Sequence, residues 1–264
     1  MHISADFYAD PLVYDVLHAP GTAQEARALL RVVKRYMPIT PPLSVLEPAC
    51  GTGRLLINLA KKGHSCIGFD LSGDMVAFAG AAAKEAGVAE RLRVFEADMR
   101  DFDAGQRLPK VHIAFNPINT IRHLETDAAV LEHFAAVGRV LAPGGIYIVG
   151  LSLCAYGLEV LAEDVWTGKG RGLNVTQVAQ YFPATGERGG ARIERVVSHM
   201  TVRDGVGERH IDSRYTLRGY NLAQWQAIAT RAGFAIRGVF ANDGEPMEPS
   251  EPGYFLFVLS PIAS

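Results

Sequence analysis

The stretch Ser44-Val45-Leu46-Glu47-Pro48-Ala49-Cys50-Gly51-Thr52-Gly53-Arg54-Leu55-Leu56 constrains this chain more than any other. A short apolar run reaches an acid, turns through two glycines and continues as an apolar segment of helical spacing. Such a strand–turn–helix unit sets backbone N–H groups at a helix N-terminus, over the strand's end, where a small ligand can lie. Only residues without bulk let the backbone come that close. The turn alone suits several nucleotides. No Lys-Ser or Lys-Thr follows it, which disfavours a phosphate-cradling loop. From Ala49 the pattern is A-x-G-x-G and then Arg54, with no third glycine, so a pyrophosphate fits poorly.

What surrounds the turn is alternation. Ser65–Asp70, Leu92–Glu96, Val111–Phe115 and Ile146–Leu151 read as strands after the first at Leu43–Glu47, with helices over Arg54–Lys62, from Ser72 to about Ala86, and over Thr126–Leu141. This predicts an α/β fold with a parallel, doubly wound sheet whose strand C-termini share one edge. Before it, residues 3–18 (with Phe7, Tyr8 and Tyr14) read as an aromatic helical segment, and Thr22 to about Met37 as a second helix ended by Ile39-Thr40-Pro41-Pro42. After it, residues 174–219 alternate apolar and polar, with turns at Gly189-Gly190 and Asp204-Gly205. They predict an antiparallel excursion of two to four strands. A helix over Leu222–Ala232 and strands over Phe234–Phe240 and Tyr254–Leu259 finish the chain. The expected organisation is a helical lid segment over 1–42, a ligand-binding core over 43–151, an antiparallel roof over 152–221 and a completing unit over 222–264.

Bulk properties narrow the partners. At 264 residues, 48% hydrophobic, the chain can bury a large core, and a net charge of −2 offers no electrostatic footprint for nucleic acid. Cys50, Cys66 and Cys154 have no metal or disulfide spacing, so a reducing cytoplasm is the expected compartment and no metal is expected. No apolar run approaches the roughly 18 residues that span a bilayer, so no membrane partner is expected.

Two acids complete the edge. Asp70 ends its strand beside the glycine turn, where a carboxylate can accept both hydroxyls of a ribose. The blander reading is a capping aspartate, but Ser72 already serves as a cap. Glu96-Ala97-Asp98-Met99-Arg100-Asp101-Phe102 ends the next strand; there an acid and a neighbouring N–H can read an adenine edge, and Met99 can cover its face.

Glu47, Ala49-Cys50-Gly51-Thr52-Gly53, Asp70, Asp98-Met99 and Leu141-Ala142-Pro143-Gly144-Gly145 together resemble the ordered motifs of class I S-adenosylmethionine-dependent methyltransferases, over about residues 43–151. The resemblance implies a Rossmann-like seven-stranded sheet with its final strand antiparallel, and S-adenosyl-L-methionine as cofactor, leaving as S-adenosyl-L-homocysteine. It implies that Glu47 and the turn (Ala49, Gly51, Gly53, Arg54) hold the methionine end, Asp70 the ribose, and Asp98 and Met99 the adenine. Leu71, Met75 and Asn116 are placed on the same site. Ala49 stands where many members have glycine.

Tyr14-Asp15-Val16-Leu17, Asp98–Phe102 and Asn119-Thr120-Ile121-Arg122-His123-Leu124 resemble small-molecule N-methyltransferases, above all the amino-sugar N,N-dimethyltransferases and, more distantly, glycine N-methyltransferases. In the amino-sugar group a tyrosine and a histidine matching Tyr14 and His123 face the acceptor nitrogen, so these two are the candidate catalytic residues. An imidazole can take a proton or direct a lone pair, and a phenol can donate a hydrogen bond or wall a positive charge. Core packing for Tyr14 and a capping role for His123 are the alternatives. Asn116-Pro117-Ile118-Asn119 begins like the Asn-Pro-Pro-aromatic motif of adenine or glutamine N-methyltransferases but lacks the second proline and the aromatic, and with no basic surface a nucleic-acid partner is not expected. Trp166, Tyr181, Arg192, Arg195, Arg214, Tyr215 and Tyr220 are candidates for the roof's inner face; His64, His199 and His210 read as surface residues. The expected function is methyl transfer to a small-molecule acceptor, at nitrogen. Transfer to oxygen or to a macromolecule, and a non-catalytic cofactor-binding protein, are the alternatives. The oligomeric state stays open, a homodimer among the options.

Overall fold

The computed structural model describes residues 2–4, 8–38, 42–184, 186 and 192–262. After the short strand β1 (His2–Ser4) come helices α1 (Pro11–His18) and α2 (Thr22–Lys34). The alternating core follows: β2 (Ser44–Pro48), α3 (Arg54–Lys61), β3 (Ser65–Asp70), α4 (Gly73–Glu85), β4 (Leu92–Glu96), β5 (Val111–Asn116), α5 (Asp127–Val140) and β6 (Leu141–Leu153). Four long strands succeed it: β7 (Ala162–Gly170), β8 (Leu173–Phe182), β9 (Ile193–Arg203) and β10 (Glu208–Arg218). The chain closes with α6 (Leu222–Arg231), β11 (Phe234–Phe240) and β12 (Gly253–Pro261).

One sheet has seven strands in the order β11-β12-β6-β5-β2-β3-β4, with β12 antiparallel between β6 and β11 and the β2–β6 pairs parallel. Its strands are apolar on both faces because both are covered. Val45, Phe115, Ile148 and Val258 meet Leu29, Val33, Leu56 and Leu59 of α2 and α3. On the opposite face Leu46, Ala114, Tyr147 and Phe257 meet Phe134 and Val137 of α5 and Trp225 and Ile228 of α6. Period-2 alternation thus sends each strand's two side-chain sets into two separate cores. Ser72 and Thr126 cap α4 and α5 through their hydroxyls, and Asn221 caps α6 in a reciprocal box with Gln224.

The second sheet runs β1-β10-β9-β8-β7, antiparallel except for the parallel β1. It departs from the sequence reading in two ways. The excursion begins at 162, because β7 was not anticipated. The expected helix over 3–18 is instead a strand at 2–4 and a helix starting at Pro11; Phe7 lies outside the described residues. Val13, Val16 and Leu17 of α1 pack with Val175, Met200, Val202 and Ile211 of the second sheet, while α2 covers the first. Gly168 makes the α1 contact possible: a Cβ there would run into the Val16 carbonyl oxygen and lie 2.8 Å from Leu17 Cα.

Smaller corrections follow from pairing. β6 starts at Leu141, since Leu141 pairs with Val111 and Ile146 with Ile113, so the residues between are an irregularity within the strand rather than a loop before it. His64 is buried, not on the surface, with its Nδ1 accepting the Leu43 N–H at 3.3 Å. The expected turn at Gly189-Gly190 lies outside the described residues. No helix among the described residues is long and apolar enough to cross a membrane.

Candidate active site

The ends of β2, β3 and β4 meet at one cleft of about 510 Å³, whose wall includes Ala49, Gly51, Asp70, Leu71, Asp98 and Met99. Gly51 and Gly53 carry φ of 54° and 71°, the left-handed backbone that only residues without a Cβ adopt freely. Ala49, at φ 50°, adopts it too, at a cost that a glycine would not bear. The resulting loop turns the Gly51 N–H onto Asp70 Oδ2 (2.8 Å), while Asp70 Oδ1 accepts the Ser72 N–H (2.9 Å). The carboxylate is thereby fixed by its inner lone pairs and presents its outer ones to the cleft. Burial raises its pKa and the backbone bonds oppose that rise.

Asp98 lies on the same wall but is not idle. Arg100 grips it through Nε at 3.0 Å and Nη2 at 2.8 Å, and this pairing holds the carboxyl below its usual range. Met99 is held by a residue the sequence reading missed. His133 of α5 donates from Nδ1 to the Met99 carbonyl at 2.8 Å, which leaves Nε2 to accept from the Tyr147 hydroxyl at 2.7 Å. Burial pushes His133 down to about 4, so the imidazole is neutral and this tautomer is the one both partners require.

A second pocket opens beside the cleft toward the other sheet. Tyr8, Tyr14, Ala49, Thr120 and His123 line both spaces and mark where they join. Glu47 lines the second pocket; it is 5% exposed, and its Oε2 is buried with no hydrogen-bond partner among the described residues. Burial drives its pKa well up. Thr52 Oγ1 is likewise buried and unpartnered. Arg54 lines this pocket while bonded to Glu25 Oε2 (2.8 Å) and Thr22 Oγ1 (3.0 Å) of α2. An orphaned carboxylate oxygen fits the ammonium of a methionine moiety, and Asp70 beside the glycine turn fits a ribose. The chemistry of these residues therefore suits S-adenosylmethionine.

Tyr14 rests on the glycine turn, since a Cβ on Gly51 would lie 3.5 Å from its ring. Burial, against an opposing Arg54, pushes the phenol up to about 12, so it is a neutral donor at ordinary pH. His123 ends a short 3-10 turn (Thr120–His123) after β5; its Nε2 is 3.0 Å from the Tyr8 hydroxyl and its ring 5.7 Å from that of Tyr215. Trp166, Tyr181 and Tyr215 come from the second sheet to line the pocket.

Other expected contacts lie elsewhere. Met75 is fully buried in α4, and Gly53 faces Ala79, 3.1 Å from where a Cβ would stand; neither lines the cleft. Asn116 lies beneath the site, donating to the Pro48 carbonyl at 3.0 Å. Arg192 bonds Asp127, Arg195 covers Phe182, and Tyr220 is in the core, so these three are not on the pocket wall, nor is Arg214.

A family model described as a methyltransferase domain matches residues 45–145, from β2 into β6. A dTDP-3-amino-3,6-dideoxy-alpha-D-glucopyranose N,N-dimethyltransferase of Streptomyces fradiae is 29% identical over 247 residues, covering 92% of this chain and 88% of its own. A dTDP-3-amino-3,4,6-trideoxy-alpha-D-glucopyranose N,N-dimethyltransferase of Streptomyces venezuelae is 27% identical over 252 residues, covering 93% and 95%. The CcbJ methyltransferase from Streptomyces caelestis has the same fold, with a TM-score of 0.73 at 19% identity over 98% of this chain and 99% of its own.

Proposed function

We propose that this chain, a class I S-adenosylmethionine-dependent methyltransferase, moves the methyl group to an amine nitrogen of a small molecule by in-line displacement. The observation that carries the reading is the junction: Tyr14 and His123 line both the cofactor cleft and the pocket beside it. An acceptor in that pocket faces the methyl group across those two side chains. Two relatives of similar length are N,N-dimethyltransferases by name, which supports nitrogen as the acceptor atom.

The sulfonium, when bound, supplies a methyl group on an already activated leaving group. The chain's part is alignment and exclusion of water. Glu47 would hold the methionine ammonium, Asp70 the ribose, and Asp98 and Met99 the adenine. His123 accepts the proton of an incoming ammonium or directs the amine lone pair, with Tyr8 hydrogen-bonded to its Nε2 fixing the ring. Tyr14, held as a neutral phenol, donates to the acceptor or lies against its developing positive charge. The second sheet lines the acceptor side with Trp166, Tyr181 and Tyr215.

Calorimetric titration with S-adenosylmethionine, followed by transfer of a labelled methyl group to a panel of primary and secondary amines, tests this. Label in an amine product is expected. Cofactor binding with no labelled amine across the panel would overturn the reading in favour of a non-catalytic protein, and label on oxygen would move the acceptor atom.

A further inference from the structure

Next to the junction lies a third and larger space, about 760 Å³, sharing Arg54, Trp166 and Tyr181 with the acceptor pocket. Its charge is one-sided. Four carboxylates line it, from Glu25, Glu159, Asp164 and Glu194. Of the cations, Arg54 and Arg122 line it, and both are already neutralised: Arg54 by Glu25 at 2.8 Å, and Arg122 by Glu194 at 3.0 Å, both members of the second pair being buried. His18 on the same wall is pushed down to about 3, by burial first and then by Arg54, and is neutral. Among the described residues Glu159 and Asp164 form no ion pair, and Arg122, which acts on Glu159 from the same wall, is bonded to Glu194. Glu159 Oε2 is buried with no hydrogen-bond partner among the described residues, and burial together with Glu194 raises its carboxyl.

We infer that this space selects a polycationic acceptor: a small molecule with at least one ammonium group besides the nitrogen that is methylated. The inference rests on the amine reading above and names its substrate class. One amine reaches the junction at His123, while a second ammonium lies between Glu159 and Asp164, against Trp166 and Tyr181. Carboxylates and aromatic faces at one place are what an ammonium ion needs on leaving water: charge-assisted hydrogen bonds for its N–H groups and π-density for its remaining surface. A nucleotide diphosphate finds the opposite. Its phosphates need free guanidinium or ammonium groups, and the arginines lining this wall are already spent on glutamates. Two relatives, by name, act on dTDP-linked amino sugars. The acidic wall separates this chain from that class of acceptor while keeping the amine.

Trp166 gives a direct readout, because the other tryptophan, Trp225, is fully buried in the core. Spermidine and an aminoglycoside are titrated into the full chain loaded with S-adenosylhomocysteine, alongside dTDP, and tryptophan emission and heat are followed. Both polyamines are expected to bind, more weakly as salt is raised, and dTDP not to compete. Glu159→Gln and Asp164→Asn are each expected to weaken polyamine binding about tenfold while leaving S-adenosylhomocysteine affinity unchanged, which reports an intact fold. Binding of dTDP as tight as that of the polyamines, or polyamine affinity unmoved by both variants, would overturn the inference. Labelled methyl transfer is measured in parallel. Transfer to an uncharged or anionic amine, undiminished in both variants, would overturn the polycation while the amine reading stands. Polyamine binding that falls in both variants, with no methyl reaching nitrogen, would uphold the pocket and fail the amine reading.

Discussion

Asp70 carries the most information of any single side chain in the cleft. Its inner lone pairs are used by Gly51 and Ser72, so it ties the glycine turn to the start of α4 before any ligand arrives. Asp70→Ala removes a charged acceptor from the ribose and strands two backbone donors. We expect a loss of about 1.5–3 kcal/mol in cofactor binding, or roughly ten- to a hundredfold, read by calorimetry with S-adenosylhomocysteine; unchanged affinity would take Asp70 out of the ribose role. His123→Ala is expected to leave that affinity near normal and to lower kcat, by on the order of a hundredfold for a lost acid–base group. A full turnover rate would retire His123 as a catalytic residue. His133 offers a pH test. Its folded pKa of about 4 lies below the ordinary 6.5. Below about 6.5 the unfolded chain takes up a proton that the folded chain refuses, so this group's contribution is present at neutral pH and lost as pH falls toward 4. The stability advantage of the parent over His133→Asn, measured in urea, should therefore shrink by roughly 1.4 kcal/mol per pH unit in that window. A difference independent of pH would contradict the neutral imidazole.

Among the elements, α1 and β7 shape the pocket proposed for the acceptor. Gly168→Ala forces a methyl group into the Val16 carbonyl, backbone against backbone, with no flexible side chain to yield. We expect about 1–3 kcal/mol lost from overpacking. Displacing α1 also moves Tyr14, so the variant should raise the acceptor KM more than the cofactor Kd; equal stability and unchanged kinetics would mean that α1 does not position the site. These two elements were also the hardest to read from sequence. Most of β7 is exposed on both faces, because it is the outer strand of its sheet, so its residues carry no alternation to see. β1 is three residues long, and it is a strand only because β10 lies beside it. By contrast β3, β4 and β11 run between the residues expected of them, since each is a β-rich run between clear turn signals.

On the scale of the whole molecule, the cleft lies on one edge of a seven-stranded sheet and the second pocket lies where residues of the antiparallel sheet meet it. The first half of that arrangement was legible: Glu47 and Asp70 stand at the C-terminal ends of their strands and Asp98 just after its own, and parallel strands put their ends together. The second half depends on which face of an antiparallel strand looks inward, and sequence alternation does not say. Trp166, Tyr181 and Tyr215 proved to face the pocket, while Arg192, Arg195 and Tyr220 did not. The Arg100 grip on Asp98 and the His133 bond to Met99 were also beyond reach, one an exposed pair two residues apart and the other a contact between distant segments. The account as a whole stands on methyl transfer at the junction. Incubation of the full chain with deuterated-methyl S-adenosylmethionine and a panel of mono- and polyamines, with fragmentation mass spectrometry of the products, measures it directly. The account predicts the label on nitrogen, fastest for acceptors with a second ammonium group and sharply reduced by His123→Ala. Cofactor bound and no label on any amine, or transfer indifferent to His123, would contradict it.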